Sequence, residues 1–345
     1  MSTDTIAPAS GTTARVRRGG LTSHIGGAVL LIAVALLAGV VPYAVSLGTL
    51  TNLVGLFVLV ILGTTWNLLA GYGGLVSVGQ QGFIGAGGYA AIYIANEVGI
   101  GVLPSIALAA VVCALLASAT SFLVFRLVGG YFAIGTWVIA EVFRLVTTQF
   151  DALGGGSGMS LTSFAGVDRV SRIGQVYWTG LALAVIVVVA TWLLMRSRLG
   201  LGLTAIRDDA TAAAGLGVGV RRAQRIVYVA ASAGAGLAGA LLAVNGLRVT
   251  PDSIFSVQYT AAMIFIVVIG GLGSIEGPIL GAVLYYVIQQ QLQDQGVWYL
   301  VVLGAVAILA VLLLPKGLWG LLSRNGALQI FPVVYRVNVD SGGKR

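Results

Sequence analysis

The sequence predicts an all-α, polytopic integral membrane protein with about ten membrane segments, some of them short or glycine-rich enough to be broken or re-entrant. Three observations lead there. Of 345 residues, 58% are hydrophobic and 9% charged, whereas a soluble domain carries about 25% charged residues. No Asp, Glu, Lys or Arg occurs between Gly19 and Asn96, a stretch several times the roughly 20 residues that one helical span requires. The apolar runs are continuous rather than alternating, which excludes a membrane β-barrel.

Taken in order, residues 1–25 are rich in Ser, Thr and Ala, carry Arg15, Arg17 and Arg18, and read as a disordered basic arm. The apolar run that follows is too long for a signal peptide, so it reads as an uncleaved first span. The expected segments are 26–46, 50–70, 80–97, 104–125, 130–150, 176–195, 226–246, 259–272, 277–292 and 297–314, of which the third, eighth and ninth are the short or glycine-rich ones. They make up a transmembrane domain over 26–322, followed by a tail, 323–345. Counting spans brings three basic clusters to one side: the N-terminus, Arg196–Arg225, and Lys316, Arg324, Arg336 and Lys344. Basic residues favour the cytoplasmic face, so both termini are expected there, in the cell (inner or plasma) membrane. The other side receives 151–175 and 247–258, where Arg169, Arg172 and Arg248 are partly balanced by Asp151, Asp168 and Asp252.

Much chemistry is excluded. The net charge of +8 sits on residues flanking apolar spans rather than in one patch, so nucleic acid is not an expected partner; membrane lipid is. Cys113 is the one cysteine, which rules out an intrachain disulfide and a cysteine metal site, and the one histidine, His24, falls at the edge of the first span. Neither lysine, Lys316 nor Lys344, belongs to a Walker phosphate loop. With no nucleophile triad or clustered metal ligands either, no catalytic, cofactor or metal site is expected: the chain is not an enzyme.

What polar chemistry remains lies inside spans. Gly79, Gly82, Gly85 and Gly88 recur every three residues beside Gln80 and Gln81. They fit either tight helix packing or a broken helix lining a path. Gly234, Gly236 and Gly239 form a similar stripe, read as packing. Glu141 and Arg144 are three apart, so they share a helix face and can pair; they serve as a clasp between helices or as part of a gate or pathway. Glu276 stands at an expected span end, as an interfacial carboxylate or a pathway group. Gly73-Gly74-Leu75-Val76-Ser77 and Gly270-Gly271-Leu272-Gly273-Ser274 echo each other as GGLxS, both expected at the cytoplasmic side.

The Arg196–Arg225 loop holds eight of the chain's formal charges, out of 19 Lys and Arg and 11 Asp and Glu. Leu203, Ile206, Ala210, Ala213 and Ala214 fall at helical spacing with Arg207, Asp208 and Asp209 on another face, which predicts a short amphipathic helix ending at Gly215 or Gly217. Adjacent aspartates suit a partner's groove better than anionic lipid.

From Ser197 through Leu216 and Gly217-Val218-Gly219-Val220, the chain resembles the permease subunits of branched-chain amino acid ABC transporters of the LivM type. Trp66-Asn67-Leu68-Leu69-Ala70-Gly71-Tyr72-Gly73-Gly74-Leu75-Val76-Ser77-Val78-Gly79-Gln80, Tyr131-Phe132-Ala133-Ile134 with Glu141 and Arg144, the second GGLxS and Leu314-Pro315-Lys316-Gly317-Leu318 match in the family's order, over about 50–322. The resemblance implies a coupling loop that includes Leu203, Ala205, Ile206, Arg207, Asp208, Asp209, Ala213, Gly215 and Leu216. It also implies cytoplasmic subunits that bind ATP, a second permease, and an extracytoplasmic solute-binding protein that docks on 151–175. Gly202 stands where a basic residue is expected, and Gly154-Gly155-Gly156-Ser157-Gly158 is richer in glycine than the usual motif. The residues alone also admit a secondary transporter or channel for a small polar solute, driven by an ion gradient, with Glu141, Glu276 and Asp294 as its ionisable groups.

Overall fold

The computed structural model describes residues 13–17, 38–43, 45–292, 297–313, 317–323 and 336–340. Most of the expected first span, His24, Asp294, Lys316, Arg324 and Lys344 lie outside them. Helix α1 (Leu47–Tyr72) begins at Ser46, whose hydroxyl accepts the Thr49 N–H at 3.3 Å, and its last six residues, Asn67–Tyr72, widen into a π-turn. Next come α2 (Gln80–Tyr93, prolonged as a π-turn over Ile94–Val98), α3 (Val102–Val124), α4 (Gly130–Gln149) and α5 (Arg169–Arg196). The polar loop forms α6 (Arg198–Asp208) and α7 (Ala210–Gly215). The chain re-enters as α8 (Val220–Gly246), turns through α9 (Pro251–Ile254), and continues as α10 (Val257–Gly270), α11 (Glu276–Leu292), α12 (Val297–Leu313) and α13 (Gly317–Leu322).

Among the described residues, six helical stretches are long and apolar enough to cross a membrane: α1, α3, α4, α5, α8, and α9 taken together with α10. The expected short segments are short: α2 and α10 have 14 residues each and α11 has 17. The N-terminal arm departs from expectation. Thr13–Arg17 (β1) pairs antiparallel with Arg336–Asp340 (β4), so arm and tail share a strand pair.

The centre of the bundle is α1 and α8, whose apolar windows are 83% and 67% buried, against 22% for α4 and 33% for α3 and α5. The outer helices turn residues such as Leu115, Phe122 and Ile186 outward, as lipid-facing helices do. Hydrocarbon gives no hydrophobic drive to helix association, so close packing must supply it, and small residues permit that. The glycine stripes do this. A Cβ at Gly239 would run into the Ile84 carbonyl and one at Gly87 into the Gly236 backbone, so α2 and α8 touch backbone to backbone. Gly234 faces Thr65 of α1, Gly82 faces Ala140 of α4, and Gly85 lies against the Phe255 ring.

The elements sort to two ends. At one, called the basic end, lie α6, α7 and both GGLxS loops. At the other, the Asn96 side chain donates to the Ser160 carbonyl at 2.9 Å and accepts the Thr162 N–H at 3.0 Å. There Met159–Ser160 (β2) pairs with Arg248–Val249 (β3), and the Arg248 guanidinium donates to the Ser157 carbonyl at 3.1 Å. Asp168 caps α5 by accepting the Val170 N–H at 3.0 Å, which starts that helix at Arg169, ahead of the expected 176.

Candidate functional site

Gly74–Gly79 is not helical, so α2 begins partway into the bundle. Backbone freed at this depth must find partners inside the protein. Trp66 Nε1 donates to the Ser77 carbonyl at 3.0 Å, Thr136 Oγ1 accepts the Val78 N–H at 3.2 Å, and Ser77 Oγ accepts the Gly79 N–H at 3.3 Å. Gln81, 1% exposed, is hydrogen-bonded to the Thr260 hydroxyl of α10. Gln80 is equally buried, and its amide nitrogen has no hydrogen-bond partner among the described residues. The glycines pack, and the helix that carries them runs unbroken from Gln80 to Val98, with the non-helical stretch 74–79 leading into it.

The basic end is built on Asn67, in the π-turn of α1 and 1% exposed. Its amide donates to the Ser274 carbonyl at 2.7 Å and accepts the Gly273 N–H at 2.8 Å, holding the second GGLxS loop against α1. Gly273 has a φ of +73°, a conformation glycine adopts freely. The Arg207 guanidinium packs on it and donates to its carbonyl at 3.5 Å. Gly317 of α13 lies against Gly270 and Gly271. The first loop has its own tie, from Gln224 Nε2 of α8 to the Gly73 carbonyl at 3.1 Å. Glu276 opens α11 in this junction and is buried.

The polar loop forms two helices, not the single amphipathic helix expected. Asp209 breaks it in an extended conformation and caps α7, its carboxylate accepting the Thr211 and Ala212 N–H groups at 2.8 and 3.0 Å. The Ala-rich run reads as one helix, but capping at Asp209 wins locally. Leu203, Ile206 and Ala213 face inward at 0%, 4% and 2% exposure, and Ala205 is half-buried. These side chains fix the loop to the bundle. Arg207, Asp208, Asp209 and Gly215 are exposed, as is Leu216, a large apolar side chain 83% open at the tip.

Glu141 and Arg144 pair as their spacing predicts, and Arg144 also reaches Asp252 of α9 at 3.0 Å. Sequence reasoning missed that third member because it lies 108 residues away. Asp252 also marks the mouth of a groove of about 980 Å³ along α10, α11 and α12. Ser256, Gln258 and Gln289 lie beside Asp252 towards the end opposite the basic one, while Phe265, Leu303 and Leu312 are among the apolar residues of its walls. None of Gln80, Gln81, Glu141, Arg144 and Glu276 lines this groove. Arg144 reaches it through Asp252, whereas Gln81 is bonded to Thr260, which lies on α10 but does not line the groove.

A bundle of closely packed apolar helices, with a non-helical entry into α2 and a polar two-helix loop at one end, is the architecture of a multi-pass membrane protein. The chain belongs to the family described as the branched-chain amino acid transport system permease component, whose model matches residues 48–311. It is similar to the high-affinity branched-chain amino acid transport system permease protein LivM of Escherichia coli K12, 29% identical over 314 residues, covering 84% of this chain and 74% of that one. The LivM protein of Salmonella typhimurium LT2 matches with the same identity and coverage. No solved structure matches.

Proposed function

We propose that this chain is the membrane permease of an ABC importer for branched-chain or closely related amino acids, moved by ATP hydrolysis in a separate soluble subunit. The observation that carries this reading is the α6–α7 loop. Its apolar underside, Leu203, Ile206 and Ala213, is buried in the permease, while Arg207, Asp208 and Leu216 are presented outward. A surface helix made only to rest on anionic lipid would not carry adjacent aspartates outward. The family relationship supports the substrate class. The basic end, rich in arginine, lies in the cytoplasm together with both termini.

The groove along α10–α12 forms one wall of the path. Open to the side, it needs a second permease to close it from lipid. Its mouth offers Asp252 and two glutamines to a zwitterion's polar head, and the apolar residues of its walls suit a branched side chain. A solute-binding protein docks at that end, on 151–175. The ion-gradient alternative gains no support: Glu141 is held by Arg144. The test is reconstitution in liposomes with the ATPase, the second permease and the binding protein. Uptake of labelled leucine that requires ATP supports the proposal, and gradient-driven uptake by this chain alone sinks it.

A further inference from the structure

We infer that Asn67 is a positioning residue that carries movement of α6 into the membrane bundle through the loop 270–274. This rests on the coupling reading above. Gly273 is pinched between two groups: the Arg207 guanidinium of α6 on one side, and on the other the Asn67 amide, which grips the loop by both its N–H and a carbonyl. A Cβ at Gly71 would meet Asn67 Oδ1 and, at 2.8 Å, the Gly273 nitrogen, so the π-turn of α1 and this loop are in backbone contact. Movement of α6 towards the bundle presses the Arg207 guanidinium on Gly273, and movement of Gly273 pulls on the two bonds that Asn67 makes to the loop. The loop joins α10 to α11, both of which pack on α1. α10 carries Thr260, bonded to Gln81 beside the non-helical stretch 74–79, and lines the groove through other residues. A side-chain amide suits this place because it offers a donor and an acceptor in one plane, which joins two backbones as a strand neighbour would. Buried, its two bonds have no water to replace them.

The experiment measures solute moved per ATP hydrolysed by the whole transporter in liposomes, for wild type and Asn67→Ala. The expected result is a ratio lowered about tenfold while hydrolysis stays within about twofold, the size of a lost coupling between sites. Uptake and hydrolysis falling together, or a ratio unchanged, overturns the inference. Arg207→Ala is expected to lower the same ratio. The double variant falls no further than the worse single variant if both lie on one route, whereas losses that multiply mean separate routes and overturn it. Where Asn67→Ala does not assemble, Asn67→Asp decides by the same ratio, since it keeps the acceptor for Gly273 and loses the donor to Ser274. A wild-type assembly with no ATP-driven uptake refutes the functional reading itself, a result distinguishable from all of these.

Discussion

Replacing Leu203 by alanine probes what holds the polar loop to the permease. Helix α6 has 11 residues and α7 has six, both too short to be stable in water alone. Their order therefore depends on docking, and among the apolar anchors of α6 Leu203 is the one with no exposure at all. A buried Leu→Ala change costs about 3 kcal/mol when the site cannot collapse. Collapse is hindered here because Gly200 already lies against the Met195 backbone. At 1.4 kcal/mol per decade, the undocked population should rise about a hundredfold. Amide hydrogen exchange over 198–216 reads that ratio directly: protection should fall about a hundredfold there while α1 and α8 keep theirs, and uptake should fall with it. Unchanged protection in a folded, inserted variant would refute the docking argument.

The two aspartates should separate. Asp209→Ala removes the cap of α7, costs about 1 kcal/mol and speeds exchange there, whereas Asp208→Ala leaves exchange unchanged; equal effects would contradict the break at Asp209. Replacing Arg207, Asp208 and Asp209 together by alanine should abolish uptake and leave membrane insertion intact, checked by uptake beside protease mapping; unimpaired uptake would remove the coupling role. Gly82→Val should cost folded protein on detergent gel filtration, since a Cβ there would lie 2.7 Å from Ala140 Cα and backbone cannot move aside cheaply. Arg144→Ala should lower stability in thermal unfolding, since it leaves the Glu141 and Asp252 carboxylates without the guanidinium they share. An unchanged unfolding temperature would mean the pair is no clasp between helices.

The spans were legible because a membrane helix leaves a long apolar run that nothing else explains. α2 with its π-turn reaches Val98 against an expected end at 97, and Glu141 and Arg144 pair as their spacing requires. The polar loop was legible from charge alone. Contacts made across the chain were not. Asn67 is a single polar residue in an apolar run, a signal in itself, but its partners are more than 200 residues away. Asp252 reads as a charge balancing nearby arginines until the fold brings it to Arg144. The groove has no sequence signature, because its wall comes from α10, α11 and α12 meeting side by side. Asp209 carried a readable capping signal, masked by the alanines that follow it.

The most direct test of the account is gentle affinity purification of the chain from its native membrane, with the proteins that accompany it identified. A soluble ATP-hydrolysing subunit is expected to co-purify with the wild-type chain and to be lost when Arg207, Asp208 and Leu216 are replaced by alanine. A stable single-chain preparation that transports in liposomes without such a subunit would contradict the account.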